Sequence, residues 1–197
     1  MLVTDGVGDP SRIERIVRAV VAGGIRAVQL REPDLSARQL AELCVNLRPI
    51  LADREGVLIV NGRADVVAAG FADGVHLGHR SLRPESVRPF LPQGCFVGWS
   101  AHDADEIQEG ASADYIVLAP LFATSSKPGA PSLGLEVAED LVAASPLPVV
   151  LLGGVVPDNV ESARRTGAAG VAAMSALCGV EDPQAAAEAF CGVGVRR

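Results

Sequence analysis

The sequence predicts a single, compact eight-stranded β/α barrel of the TIM type. Short apolar runs of β-type residues alternate with helical patterns from end to end of the 197-residue chain, which is typical of parallel strands joined by crossover helices. Hydrophobic residues make up 49% of the chain and aromatic residues only 4%, a composition that suits small-side-chain packing of helices on a sheet. The length suits one domain, and we predict that it spans residues 1–197.

The predicted strands are apolar on both faces, as buried parallel strands are. In chain order they are Leu2–Thr4, Ile25–Leu30, Val57–Val60, Gly74–Leu77, Phe96–Trp99, Tyr115–Leu118, Val149–Leu152 and Gly170–Met174.

Capping signals mark the starts of several intervening helices. These signals are Asp9 followed by Pro10, Ser36 with Gln39, and Asp103 with Glu106. Pro49 predicts an end or a kink of the second helix, because proline cannot donate to the preceding turn.

An open, doubly wound sheet is the alternative arrangement for this alternation, and it calls for a glycine-rich phosphate turn after the first strand. The first turn instead contains Asp5 and Asp9, whose charges would repel a pyrophosphate, so the barrel is favoured. One long connection, Ala119–Leu133, is rich in Ser, Pro, Gly and Ala and is of a length that is commonly functional.

Charge and hydropathy exclude two classes of partner. The net charge is −7 and there is no basic cluster, so we predict no nucleic-acid binding. No apolar run approaches the roughly 20 residues that span a bilayer, and the N-terminal segment does not resemble a signal peptide, so we predict no membrane association and a cytoplasmic location. The four cysteines lack metal-site spacing and are predicted to be reduced.

In a barrel of this type the active site lies at the carboxyl ends of the strands, and the last two loops commonly bind phosphate. Gly153 and Gly154 follow the seventh predicted strand, and Ser175 follows the eighth. Glycine lets backbone N–H groups approach an anion, so these residues predict a phosphate site. A glycine pair by itself is more typical of a simple tight turn, but its position after the seventh strand favours phosphate binding.

Cations and histidines also fall at predicted strand ends. Arg31, Arg63, Arg80 and Lys127 would favour an anionic substrate if they converge, whereas each alone fits a solvated surface charge. The three histidines are His76, His79 and His102. His76 lies inside a strand and fits a core hydrogen bond, His102 fits a loop-orienting role, and His79 is best placed to meet a ligand as a proton carrier.

In order along nearly the whole chain, these segments resemble the thiamine-phosphate synthase and TenI (thiazole tautomerase) family. The matching segments are Val28-Gln29-Leu30-Arg31-Glu32, Val60-Asn61-Gly62-Arg63, Ala72-Asp73-Gly74-Val75-His76-Leu77-Gly78, Ser100-Ala101-His102, Ala113-Asp114-Tyr115, Pro120-Leu121-Phe122-Ala123-Thr124-Ser125-Ser126-Lys127, Gly134-Leu135, Gly153-Gly154-Val155-Val156-Pro157-Asp158-Asn159-Val160 and Ala173-Met174-Ser175-Ala176.

The resemblance implies a β/α barrel and, for the synthase, coupling of a pyrimidine diphosphate to a thiazole phosphate with loss of Mg²⁺-bound pyrophosphate. It implies pyrimidine or diphosphate contacts for Gln29, Arg31, Asn61 and Lys127. Contacts to the thiazole phosphate are implied for Thr124, Ser126, Gly153, Gly154, Ser175 and Ala176. Ser100 matches the serine at the reaction centre.

Three departures from the synthase pattern fall in one place. Gly62 and Ser81 occupy the positions of two Mg²⁺-binding aspartates, and Pro33 occupies that of a phosphate-binding lysine. Losing these groups removes the charge that would stabilise a leaving pyrophosphate. The pattern is similar to the tautomerase branch, although Pro120 stands where a characterised tautomerase has a catalytic histidine.

Three hypotheses follow for a protein that binds a small thiazole phosphate. The first, which the departures favour, is a tautomerase without cofactor or metal that uses His79 or His102 as proton carrier and Arg31 and Arg63 for the carboxylate of the substrate. The second is thiamine-phosphate synthase, for which Mg²⁺ would be the cofactor. The third is a non-catalytic binding or regulatory protein. The resemblance also predicts a homo-oligomer.

Overall fold

A computed structural model describes residues 1–124 and 131–192 of the chain. It contains eight parallel strands in the order of the sequence, each paired with the next. The strands are β1 (Leu2–Val3), β2 (Ala27–Leu30), β3 (Val57–Asn61), β4 (Gly74–Leu77), β5 (Phe96–Ala101), β6 (Tyr115–Leu118), β7 (Val149–Leu152) and β8 (Gly170–Ala172).

The last strand joins the first, which closes the barrel and excludes the open sheet. The N–H of Val3 donates to the carbonyl of Ala173, and the N–H of Ala173 donates to the carbonyl of Met1, both at 3.0 Å. The predicted β/α barrel is therefore confirmed.

Helices connect the strands and cover the barrel. They are α1 (Pro10–Ala22), α2 (Ala37–Ala52), α3 (Ala64–Ala68), α4 (Pro84–Val87), α5 (Ala104–Glu109), α6 (Gly134–Ala144), α7 (Val160–Arg165), α8 (Ser175–Cys178) and α9 (Pro183–Gly192), with a 3₁₀ turn at Arg88–Phe90. In the described part of the chain, none of these helices is long and apolar enough to cross a bilayer.

The capping signals act as their spacing predicts, with one difference. The side chain of Asp9 accepts hydrogen bonds at the start of α1, and Ser36 and Gln39 form a reciprocal capping box at α2. At α5 the Asp103 side chain accepts from the Glu106 N–H, but the Glu106 carboxylate accepts from the N–H of His102 instead of that of Asp103.

Of the two predicted effects of Pro49, an end or a kink, the end does not occur, because α2 continues to Ala52. The carbonyl that Pro49 leaves without its helical donor belongs to Val45, which is 57% exposed, so water can satisfy it.

Two strand ends matter for the site. Strand β5 runs two residues beyond its predicted end and thereby holds Ser100 in the sheet rather than in a loop. Strand β8 ends at Ala172, two residues before its predicted end, and Ser175 opens α8.

Candidate active site

A single cavity of about 590 Å³ opens at the carboxyl ends of the strands, where the sequence predicts the active site. Its wall contains ten of the predicted site residues: Gln29, Arg31, Asn61, His79, Ser100, His102, Thr124, Gly153, Gly154 and Ser175. Residues that are distant in the sequence thus meet because every strand ends at the same mouth.

Two predicted site residues are not brought to this wall. The guanidinium of Arg63 binds the Asp65 carboxylate two residues further on, at 2.9 and 2.6 Å, and Ala176 lies within the first turn of α8. Ser126 and Lys127 lie outside the described residues. Arg80, one of the cations predicted at a strand end, and Ser81, which stands at the position of a synthase aspartate, also line the cavity.

The turn after β7 is built on two glycines that no other residue could replace without strain. Gly153 has φ +103° and Gly154 has φ +63°, both in the region that side chains disfavour. A Cβ atom at Gly153 would lie 2.7 Å from the Cβ of Pro120, and one at Gly154 would lie 2.6 Å from the carbonyl oxygen of Ala123. The loop after β6 therefore packs directly against this turn.

Hydrogen bonds fix the turn from both sides. The N–H of Phe122 donates to the Gly153 carbonyl at 3.0 Å, and the side-chain amide of Asn159 donates to the Gly154 carbonyl at 2.9 Å. With Ser175 on the same wall, the backbone is rigidly held where the sequence predicts a phosphate site.

The described wall carries Arg31 and Arg80 and has no carboxylate. Nearby carboxylates are engaged elsewhere: Glu32 is buried and accepts from the N–H groups of Gly6 and Gly8 at 3.4 and 2.8 Å. Asp5 binds Arg12 at 2.8 Å, and this hydrogen bond lowers the pKa of the Asp5 carboxyl. The electrostatics of the wall therefore suit an anionic ligand.

The same wall tests whether Mg²⁺, which the family resemblance implies for a synthase, fits this chain. Mg²⁺ is normally bound through one or two carboxylates. The two relevant positions hold Gly62 and the hydroxyl of Ser81, and among residues 1–124 and 131–192 no group of three Asp, Glu, His or Cys side chains could hold a metal ion. The residues of this wall do not fit a carboxylate-bound magnesium ion.

An amide pair forms the part of the wall next to β2 and β3. The Nε2 of Gln29 donates to the Oδ1 of Asn61 at 3.0 Å. The Oε1 of Gln29 is buried without a hydrogen-bond partner in the described structure, and Gln29 itself is 4% exposed. Because an unsatisfied buried acceptor is costly, this atom fits an N–H donor supplied by a ligand.

The three histidines have different surroundings. His79 lines the cavity, as does His102, whose Nδ1 lies 2.7 Å from the Glu106 carboxylate. A carboxylate can only accept, so Nδ1 carries the proton and the ring orientation is fixed. His76 also reaches the cavity wall but is only 3% exposed, and burial lowers its pKa from 6.5 to about 4.

We expect this buried imidazole to make stability depend on pH. The unfolded chain binds a proton at His76 below about pH 6.5 and the folded chain only near pH 4, so folding stability is lost as the pH falls between these values. From pH 7 to pH 5 this loss should reach about 2 kcal/mol. Urea unfolding of the wild type and of His76→Gln at both pH values measures this loss. The same change in the free energy of unfolding between pH 7 and pH 5 in the two proteins would contradict the prediction.

Comparison with known proteins agrees with the fold and the motifs. The family model described as thiamine monophosphate synthase matches residues 1–177. A thiamine-phosphate synthase from Roseiflexus castenholzii is 38% identical over 100% of this chain and 88% of its own length. Another from Methanoculleus marisnigri is 40% identical over 89% of this chain and 84% of its own length.

Of two similar solved structures, one belongs to the same family and the other shares the fold alone. Thiamine phosphate pyrophosphorylase from Pyrococcus furiosus superposes with a TM-score of 0.87 and 29% identity, covering 98% of this chain and 93% of its own. A 3-hexulose-6-phosphate synthase, at 18% identity and a TM-score of 0.73 over 97% of both chains, shares the fold. The chain therefore belongs to the thiamine monophosphate synthase family.

Proposed function

We propose that the chain is a thiamine-phosphate synthase, which joins an aminopyrimidine carried on a diphosphate to a thiazole phosphate and releases pyrophosphate. The relatives named above carry the name of this enzyme, and none of those comparisons favours the tautomerase branch. The proposal differs from the interpretation that the three sequence departures favour, and one observation in the cavity carries it.

That observation is the unsatisfied Oε1 of Gln29 beside Asn61. An aminopyrimidine presents an N–H donor next to a ring-nitrogen acceptor. These two groups are complementary to the free Oε1 acceptor of Gln29 and to the side-chain NH₂ donor of Asn61. A thiazole phosphate has no comparable N–H donor. The amide pair therefore supports a pyrimidine as one of the two ligands.

The opposite part of the wall suits the phosphate of the second substrate. The Gly153-Gly154 turn, Ser175 and Thr124 line it, and Ser126 and Lys127 remain predicted contacts. Backbone N–H groups and small hydroxyls bind an ester phosphate without any cofactor. Two ligands of these classes can thus lie side by side within one cavity of about 590 Å³.

The leaving diphosphate would be neutralised by cationic side chains of this chain. Arg31 and Arg80 supply fixed positive charge on the same wall, where His79 can donate a hydrogen bond. Residues 125–130 add Lys127 and no carboxylate to the adjoining sequence.

Thiazole tautomerase is the second candidate function. The carboxylate-free wall and the two imidazoles of His79 and His102 favour it, because aromatisation of a carboxythiazole phosphate needs only proton transfer near neutral pH.

The assay offers purified protein the aminopyrimidine diphosphate and the thiazole phosphate, with Mg²⁺ in one arm and EDTA in the other. We expect thiamine phosphate and pyrophosphate in both arms, with the EDTA rate within about tenfold of the Mg²⁺ rate, because Arg31 and Arg80 would supply the positive charge that Mg²⁺ supplies in the synthase pattern. Isomerisation of carboxythiazole phosphate without coupling would establish the tautomerase instead. Binding without either turnover would establish a non-catalytic protein, and a rate lost in EDTA would contradict the role given to the arginines.

A further inference from the structure

A hydrogen-bonded chain of three side chains crosses the interior of the barrel and ends at the cavity. The Nε2 of buried His76 lies 2.8 Å from the Oγ of Ser100, which lines the cavity. On its other side, the Nδ1 of His76 lies 3.3 Å from the hydroxyl of Tyr115 at the start of β6. His76 therefore connects a residue at the far end of the barrel with the cavity wall.

The direction of the hydrogen bonds follows from the groups involved. Burial raises the pKa of the Tyr115 hydroxyl and lowers that of His76, so the first keeps its proton and the second is a neutral imidazole with one N–H. If Tyr115 donates to Nδ1, then Nε2 carries the proton and donates to Ser100 Oγ. In the reverse order the Tyr115 hydrogen would have no acceptor among the described residues, so the first order is favoured.

A glycine makes this contact possible. The strand register places Gly98 between the two groups, opposite His76 on one side and Tyr115 on the other. A Cβ atom at Gly98 would lie 2.5 Å from the Nδ1 of His76 and would collide with the ring and hydroxyl of Tyr115. Because Gly98 has no side chain, the Tyr115 phenol and the His76 imidazole can come into contact at this position.

We propose that His76 and Tyr115 are positioning residues that hold the Ser100 hydroxyl as a hydrogen-bond donor toward an anionic oxygen of the ligand in the cavity. With Nε2–H bonded to its oxygen, Ser100 has its own hydrogen left for the ligand. A fixed donor costs no reorganisation when charge develops on the ligand. The nature of the ligand rests on the proposed function, whereas the order of the hydrogen bonds does not.

The tautomer of His76 tests this order directly. An NMR spectrum that correlates the imidazole nitrogens with the carbon-bound ring hydrogens in ¹⁵N-labelled protein at pH 7.5 distinguishes the two tautomers for each of the three histidines. The signals that disappear in His76→Gln identify His76. We expect His76 as the neutral Nε2–H tautomer, and a growing share of the Nδ1–H tautomer in Tyr115→Phe, which keeps the ring but lacks the donor. Nδ1–H as the main tautomer in the wild type would overturn the proposal.

Binding of inorganic pyrophosphate, measured by calorimetry, tests the effect on the ligand. Ser100→Ala should weaken it about tenfold or more, as loss of a hydrogen bond to a charged group does. Tyr115→Phe should weaken it about threefold in the wild-type background and leave it unchanged in the Ser100→Ala background. An equal loss in both backgrounds would overturn the positioning role. If the wild type does not bind pyrophosphate, the proposed function fails, and the tautomer alone decides the role of His76.

Discussion

Gly153→Ala should abolish binding of thiazole phosphate and lower the free energy of unfolding by about 3 kcal/mol. The backbone there has φ +103°, which costs a residue with a side chain roughly 1–2 kcal/mol. The new methyl group would also lie 2.7 Å from the Cβ and 2.8 Å from the Cα of Pro120, so the loop after β6 must move away. Because this loop and the glycine turn share the cavity wall, the ligand would lose its partners on both sides.

Gly94→Ala is the matched control. Gly94 has φ +85° but nothing lies within 4 Å of the position that its Cβ would occupy, and it lies in the connection before β5, away from the mouth of the cavity. We expect only the backbone cost of about 1–2 kcal/mol and unchanged ligand binding. Calorimetric titration with thiazole phosphate and thermal unfolding of both variants measure these effects. Equal binding by Gly153→Ala and the wild type would exclude this turn from the ligand site.

Gln29→Met should lower kcat/KM for the coupling reaction by at least about a hundredfold and leave the protein as stable as the wild type or up to about 1 kcal/mol more stable. Methionine has a similar length but no acceptor that needs a partner, and the Oε1 of Gln29 is buried without one. The Oδ1 of Asn61, which loses the N–H of Gln29, belongs to a residue that lines the open cavity, where water can replace that donor. Removing this acceptor removes the free-energy cost of burying it without a hydrogen bond, but it also removes the hydrogen-bond partner of the pyrimidine.

Two measurements separate the parts of this prediction. Titration with thiazole phosphate should give the same affinity for Gln29→Met and the wild type, because Gln29 is predicted to meet the other substrate. Steady-state rates at varied pyrimidine diphosphate should show the loss. A variant that couples at the wild-type rate would remove the observation on which the proposed function depends.

The barrel could be predicted from the sequence because its signal is repeated eight times. Each buried parallel strand is a short apolar run, and the helices between them start at side-chain caps such as Asp9 and Ser36. The position of the cavity follows from the fold, since parallel strands of a barrel all end at one mouth. Errors at single strand ends, as at Ser100, do not alter this result.

Pairwise contacts within the site were not predictable in the same way. The sequence predicts Arg63 at the ligand, but its guanidinium forms an ion pair with Asp65, which lies only two residues further along the chain. The contact between His76 and Tyr115 depends on the register of three strands, although a lone tyrosine in an apolar strand, with Gly98 in the strand before it, was a usable signal.

Residues that are missing from a motif do not by themselves separate a synthase from a tautomerase. Gly62, Ser81 and Pro33 indicate what the cavity lacks, and on that ground alone the sequence favours the tautomerase. The two relatives described above, which are 38% and 40% identical to this chain over the aligned residues, carry the synthase name. The amide pair at Gln29 is an independent reason to propose a second substrate.

The junction between β1 and β8 has a consequence during protein synthesis. Strand β1 leaves the ribosome first, but its second neighbour is Ala173, more than 160 residues later. Until then the nascent chain exposes a row of unpaired N–H and C=O groups that another chain could bind. Ser175 lies two residues after this junction and lines the cavity, so the pairing that covers this exposed edge also completes the cavity wall.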